Sequence, residues 1–264
     1  MKKTFMSVVC ALSAPALLSA ATTVVDLNGG FNTVQGTGTL SAAGGLATSF
    51  GTISSFGLNP LNSLTTPGDR QVLSFAAVAN NTQGLSFVHG TPTPNTTGFS
   101  LLMDVYFPAL SSSGFTSLLQ LETSTAADGE LFIRSSDNAI GRSTYGGTFT
   151  TGVWQRVVLT VDAAHTQFNA YIEGNLAVTR NFSGTDPARY ALSDPSFLVF
   201  GDEDGETAPG YIATFAFTDS TLSALEVAAF GRANGVPEPA GALLLGLAGA
   251  AAALRRRTRR EGAF

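Results

Sequence analysis

The densest set of ionisable side chains in the sequence is Asp202-Glu203-Asp204-Gly205-Glu206, four carboxylates within five residues. Carboxylates this close repel one another unless water or a cation neutralises them, and Ca²⁺ accepts such oxygen ligands. Two readings stay open for the segment. It is a solvated acidic turn between strands, as surface loops commonly carry charge, or a Ca²⁺ loop with Asp202, Asp204 and Glu206 as ligands. The EF-hand pattern is absent. Other chemistry is scarce. His89 and His165 are the only histidines and both fall in or beside expected turns, and Cys10 is the only cysteine. No Gly-x-Ser-x-Gly elbow, zinc-protease His-Glu-x-x-His or phosphate-binding glycine motif occurs. Trp154 could offer a flat face to a sugar ring, but at the head of an alternating strand it reads as a core residue. The inventory favours binding over catalysis and predicts a chain that is not an enzyme. A hydrolase with two carboxylates across a cleft is the remaining catalytic alternative.

The elements that must position these groups are strands. Apolar residues alternate in Phe99 to Phe107, with Phe99, Leu101, Met103, Val105 and Phe107 on one side. Further strands are expected at Gln71–Val78, Gly84–Val88, Phe115–Leu121, Glu130–Arg134, Trp154–Asp162, Gln167–Glu173, Leu176–Phe182, Ser196–Gly201 and Gly210–Phe217, with turn residues between them. Gly174-Asn175 supplies a hairpin turn, and His165 is read as a turn residue. One short helix is expected at Ser223–Phe230, opened by a capping box from Ser223 to Glu226. Glycines spread through residues 28–57 leave the register there undetermined. The pattern predicts an all-β fold, an antiparallel jelly-roll β-sandwich with one short helix.

The two ends read differently. Lys2 and Lys3 precede an apolar stretch from Phe5 to Leu18 and the small residues Ser19, Ala20 and Ala21. That order predicts a signal peptide over 1–21, cut by signal peptidase after Ala21, with Ala20 as the alternative. At the other end Pro237-Glu238-Pro239 is followed by a fifteen-residue apolar run, Ala240 to Leu254, and then Arg255, Arg256, Arg257, Arg259 and Arg260. The run is shorter than the ~20 residues that span a bilayer comfortably. The arginines would stay cytoplasmic, and so would Lys2 and Lys3, leaving the middle of the chain outside.

These ends hold seven of the fourteen basic residues but only two of the nineteen acids, so residues 22–236 carry seven bases against seventeen acids, a formal charge of −10. Such a domain repels phosphate backbones, which argues against nucleic acid as a partner. Without Cys10 the processed chain has no cysteine, and its length lets the core hold without disulfides.

Two resemblances follow from these residues. The Pro-Glu-Pro motif, apolar helix and arginine cluster, in this order over 236–260, resemble a PEP-CTERM sorting signal. That resemblance implies a Gram-negative bacterial protein held briefly in the inner membrane by Arg255, Arg256 and Arg257. It also implies cleavage by an exosortase near Pro237, Glu238 and Pro239, and delivery to the cell surface or biofilm matrix. The segment from Phe99 to Gly231 resembles the laminin-G-like, concanavalin A-like jelly rolls. The resemblance is carried by the Trp154–Asp162 strand, by Tyr171-Ile172-Glu173-Gly174 with Glu173 in place of the usual Asp, and by Phe200–Glu206, Gly210-Tyr211-Ile212-Ala213 and Leu222–Val227. It implies a sandwich over 22–235 that binds extracellular polysaccharide, with a purely structural matrix role as the alternative.

Overall fold

The structure is a computed structural model and describes residues 22–78, 82–95, 97–122 and 129–234. The expected signal peptide, the Pro237-Glu238-Pro239 motif, the apolar run and the arginines at 255–257 lie outside the described residues. Among the described residues no helix is long and apolar enough to cross a membrane.

In chain order the first strands are β1 (Thr22–Asp26), β2 (Asn32–Gln35), β3 (Thr39–Ala43), β4 (Thr48–Thr52), β5 (Gln71–Phe75), β6 (Gly84–Val88), β7 (Phe99–Tyr106) and β8 (Phe115–Gln120). Then come β9 (Glu130–Arg134), β10 (Ala139–Arg142), β11 (Thr144–Gly146), β12 (Gln155–Val161), β13 (Gln167–Ile172) and β14 (Asn175–Asn181). Helix α1 (Asp186–Arg189), β15 (Ser196–Val199), β16 (Gly210–Thr218) and α2 (Ala224–Ala229) complete the domain. One sheet has the order β14-β13-β12-β7-β16-β1-β2. The long strand β16 also pairs β5 through Gly210–Ile212, which adds β5 and β4 and brings the sheet to nine strands. The other sheet has seven strands in the order β11-β10-β9-β8-β15-β6-β3, and every pairing in both is antiparallel.

The core lies between the sheets. Phe99, Leu101, Met103 and Val105 of β7 and Val157, Leu159 and Val161 of β12 meet Leu85, Phe87, Leu131, Ile133, Phe197 and Val199 from the seven-stranded sheet. Period-two alternation puts these residues on one side of each pleat. The opposite face of the nine-stranded sheet is also covered. Leu102, Val158 and Tyr171 pack beneath Val227 of α2, while Trp154, Val72 and Ala213 pack beneath Ile53, Leu61 and Ala233. Trp154 is fully buried and donates its indole N–H to the Asn59 carbonyl (3.0 Å), as its place at the head of a strand predicts.

Two buried ion pairs fasten this covering layer. The Arg156 guanidinium meets both oxygens of Asp104 (2.7 and 3.0 Å) and also donates to the carbonyls of Asn62 and Phe230. Arg70 pairs with Asp26 and reaches Ser63 and Thr65 (2.7 Å each). A planar fork with five donors can hold several loop carbonyls at once, which an ammonium cannot.

Helix α2 begins with the expected capping box at Ser223 and Glu226. The structure adds a second helix to the one expected, the four-residue α1, which opens with Pro187 in its first turn. The β13–β14 turn sits one residue earlier than expected. Its centre is Glu173-Gly174, with φ of 54° and 79°, the conformation a tight right-twisting hairpin requires.

Candidate functional site

The outer face of the seven-stranded sheet mixes polar and aromatic side chains, where the other sheet's outer face lies largely beneath a helix and loops. Register alignment places Ser41, Ser86, Leu198, Gln120 and Glu130 in one row across five strands. Their chain neighbours Leu40, Leu85, Phe87, Phe197, Val199, Leu119 and Leu131 all point into the core, so the row points away from it. A second row joins Ser117, Phe132, Gly141 and Tyr145. There Phe115 packs against Phe132 (5.8 Å between ring centres) and Tyr145 (5.9 Å), and the Arg134 guanidinium lies 4.5 Å above the Tyr145 ring. Phe115, Arg134 and Tyr145 are half-buried, so their edges reach solvent. Gly141 sits in the middle of this patch at φ 153°, and a Cβ there would meet the Thr144 carbonyl oxygen at 2.0 Å.

The loop between β15 and β16 borders the first row. It begins where β15 leaves β8, and it stays against β8 through two bonds. Ser117 donates its backbone N–H to the Glu206 carbonyl (2.7 Å) and its hydroxyl to the Gly201 carbonyl (2.6 Å). Asp202 folds the loop on itself, accepting the backbone N–H groups of Asp204 and Glu206 at Oδ2, both at 2.9 Å. A side-chain oxygen that accepts from residues two and four ahead is the usual way an aspartate shapes a turn.

This geometry groups Asp202 with Glu130 and Glu203, one carboxylate oxygen of each lying within 4.8 Å of the others. Of the three ligands expected from sequence, Asp202 belongs to the group, and Asp204 and Glu206 do not. Their backbone amides are turned toward Asp202, which leaves the Asp204 side chain exposed. Glu130 comes from the start of β9, well before the loop in sequence, and brings Arg142, whose Nε donates to it at 2.6 Å. Gln120, opposite Glu130 across the β8–β9 pair, donates its Nε2 to Glu203. Neither Glu130 nor Gln120 could be picked out from local spacing. Only the register of three strands brings them to the loop.

Burial sets the electrostatics. It raises the carboxyls of Glu130, Asp202 and Glu203 above their ordinary range, against the stabilising hydrogen bond from Arg142 in the first case. Glu206 is pushed up to about 7, first by burial and then by the charges of Asp202, Asp204, Glu130 and Glu203. At each of these carboxyls burial favours the protonated, neutral form over the charged one. His165 stays in the β12–β13 turn, as expected, with its backbone N–H on the Asp162 carbonyl (2.9 Å).

The profile of the concanavalin A-like lectin/glucanases superfamily matches residues 74–228. No curated protein matches the sequence. Among solved structures, the botulinum neurotoxin serotype G binding domain superposes with a TM-score of 0.51 at 13% identity, over 80% of this chain and 50% of that one. The binding domain of botulinum neurotoxin DC, in complex with SialylT, gives 0.51 at 10% identity over 79% and 49%. Trypanosoma rangeli sialidase gives 0.50 at 15% identity over 84% and 34%. The chain thus spans half or less of the length of these structures, and at such identities the likeness is one of fold. With two antiparallel sheets in this order and a profile match over more than half its length, the chain belongs to the concanavalin A-like lectin/glucanase superfamily.

Proposed function

We propose that this is an exported, non-enzymatic surface or matrix protein that binds extracellular polysaccharide on the outer face of its seven-stranded sheet. The observation that carries the reading is the contrast between the two outer faces. One is largely covered by a helix and loops, and the other brings the exposed Ser41 and the half-buried Ser86 and Glu203 to the same side as the half-buried edges of Phe115, Arg134 and Tyr145. A sugar ring needs both kinds of group: a flat apolar surface for its C–H face and fixed polar groups for its hydroxyls. The superfamily supports the carbohydrate class, and the bound partner named for one structural neighbour is consistent with it.

A glycan array probed with the purified chain, with and without EGTA, tests this reading. Binding is expected for polysaccharide, weakened about tenfold by Tyr145→Ala, the loss of a stacking surface worth about 1.4 kcal/mol. An array with no signal in either condition favours the structural alternative. Hydrolysis of an array polysaccharide that disappears in Glu130→Gln would replace the reading with the hydrolase. Export is proposed from the chain ends. Signal peptidase would act after Ala21 and exosortase near Pro237-Glu238-Pro239, with a transient inner-membrane stage in a Gram-negative cell before release to the surface. Glu238→Ala is expected to accumulate an uncut, membrane-held form. Wild-type processing of that variant would remove the sorting step.

A further inference from the structure

We propose that the outer face of the nine-stranded sheet carries a docking groove for the apolar run of the same chain, residues 240–254. The covering layer leaves a gap of about 450 Å³ between α2 and β2. Its floor is the outward side of three strands, with Val24 of β1, Leu102 of β7 and Ala216 of β16. Phe230 at the end of α2, Val34 of β2 and Leu64 add to the lining, the last two 58% and 38% exposed. None of the described residues that line it is charged. A concave apolar patch of this kind is a place for a cover.

The chain carries a fitting cover close by. Asn234 bridges to Leu61, a Cα separation of about 5 Å, and Leu64 is three residues further on, at most ~11 Å away. Residues 235–239 span up to ~17 Å when extended, so the apolar run begins within reach of the groove. A segment tethered this closely meets the groove at an effective concentration on the order of millimolar, so a contact too weak to join separate molecules is enough. The run is itself uncharged, and the five arginines after it are opposite in sign to a domain of formal charge −10. The apolar stretch before Thr22 has only Lys2 and Lys3 beside it. Thr214 selects a peptide over a hydrocarbon chain. It lies on the groove floor, is 1% exposed, and its Oγ1 has no hydrogen-bond partner. A peptide carbonyl supplies the acceptor that this hydroxyl lacks, and Gly246, flanked by Leu245 and Leu247, lets a backbone come close. The groove is on the sheet opposite the proposed sugar surface, and docking is assayed on the uncut chain without enzyme or membrane. It therefore stands apart from both the glycan and the sorting readings.

The experiment is disulfide trapping in the purified, uncut full chain in detergent-free buffer. Val34→Cys, on an exposed strand, is combined with Leu243→Cys in a Cys10→Ser background and oxidised in dilute solution. An intramolecular disulfide is expected, with a yield about tenfold above that of Ser136→Cys, in the exposed β9–β10 turn of the other sheet, paired with the same Leu243→Cys. Adding Leu244→Asp and Leu247→Asp keeps the tether but removes its apolar character, and should cut the yield about tenfold. A yield no higher than the Ser136→Cys control overturns the proposal, as does a yield that the two aspartates leave unchanged, which would report the tether alone. Trapping of Val34→Cys by the native Cys10, with no cysteine in the tail, would give the groove to the segment before Thr22. A disulfide-linked dimer as the main product would give it to a second copy of the chain.

Discussion

At the scale of single residues, Arg156 and Asp104 tie the covering layer to the sheet beneath it. Both side chains are essentially unexposed, and the guanidinium bridges Asp104 to the carbonyls of Asn62 and Phe230. Removing one partner strands the other charge without water. Asp104→Ala is therefore expected to lower unfolding stability by about 3–5 kcal/mol, measured by urea denaturation. A loss under about 1 kcal/mol would mean that Arg156 finds water or another acceptor. Asp162 governs a smaller effect. Burial works against its ionisation, but hydrogen bonds from the Thr166 hydroxyl and from the Gln167 and Thr166 amides more than offset it, and its carboxyl titrates below the ordinary aspartate value. A depressed carboxyl contributes stability that is complete above its unfolded pKa and is lost as pH falls through the folded one. Acid unfolding of Asp162→Asn below about pH 4 should then be shallower than that of wild type. Equal slopes would show that the turn contributes nothing to it.

At the scale of elements, what could be read from sequence depended on how strictly a strand alternates. β7, β12, β13 and β16 turn one strictly alternating apolar side to the core, and their observed bounds lie within a residue or two of those expected. Strands β2, β3 and β4 lie in a glycine-rich stretch and leave most of their side chains exposed or half-buried, so no alternation marks them. Strands β10 and β11 have four and three residues, too few for a period to register. The same limit applies to the site. The acid-rich loop was visible as composition, but its partnership with Glu130 and Gln120 depends on β15 lying beside β8 and β8 beside β9. The β10–β11 hairpin also yields a prediction. Gly141 permits a backbone that no Cβ could share with the Thr144 carbonyl, and it separates Phe132 from Tyr145. Gly141→Ala is expected to cost more than about 2 kcal/mol and to weaken glycan binding through the displaced Tyr145. Wild-type stability in that variant would show that the hairpin can shift freely.

At the scale of the whole molecule, the two sheets have divided their work. The nine-stranded sheet spends its outer face on stability, and the last described residues belong to its covering layer. Ala233 packs with Leu61 and Trp154, Asn234 bridges to Leu61, and the Glu173 carboxylate accepts the backbone N–H groups of both (3.2 Å each). The candidate site occupies the other side of the sandwich. A bulky folded domain fused after Asn234 should therefore leave glycan affinity unchanged, whereas the same domain inserted at Ser143 in the β10–β11 turn should abolish it, as read on the array. Loss of binding in the first fusion would place the sugar on the wrong sheet. Because Glu173 clamps the chain's exit point, any pull on the residues beyond it is taken up by the β13–β14 hairpin and the layer beneath. A molecule moored through that end would stand with its hydroxyl- and ring-bearing side turned outward, like a plate held from behind.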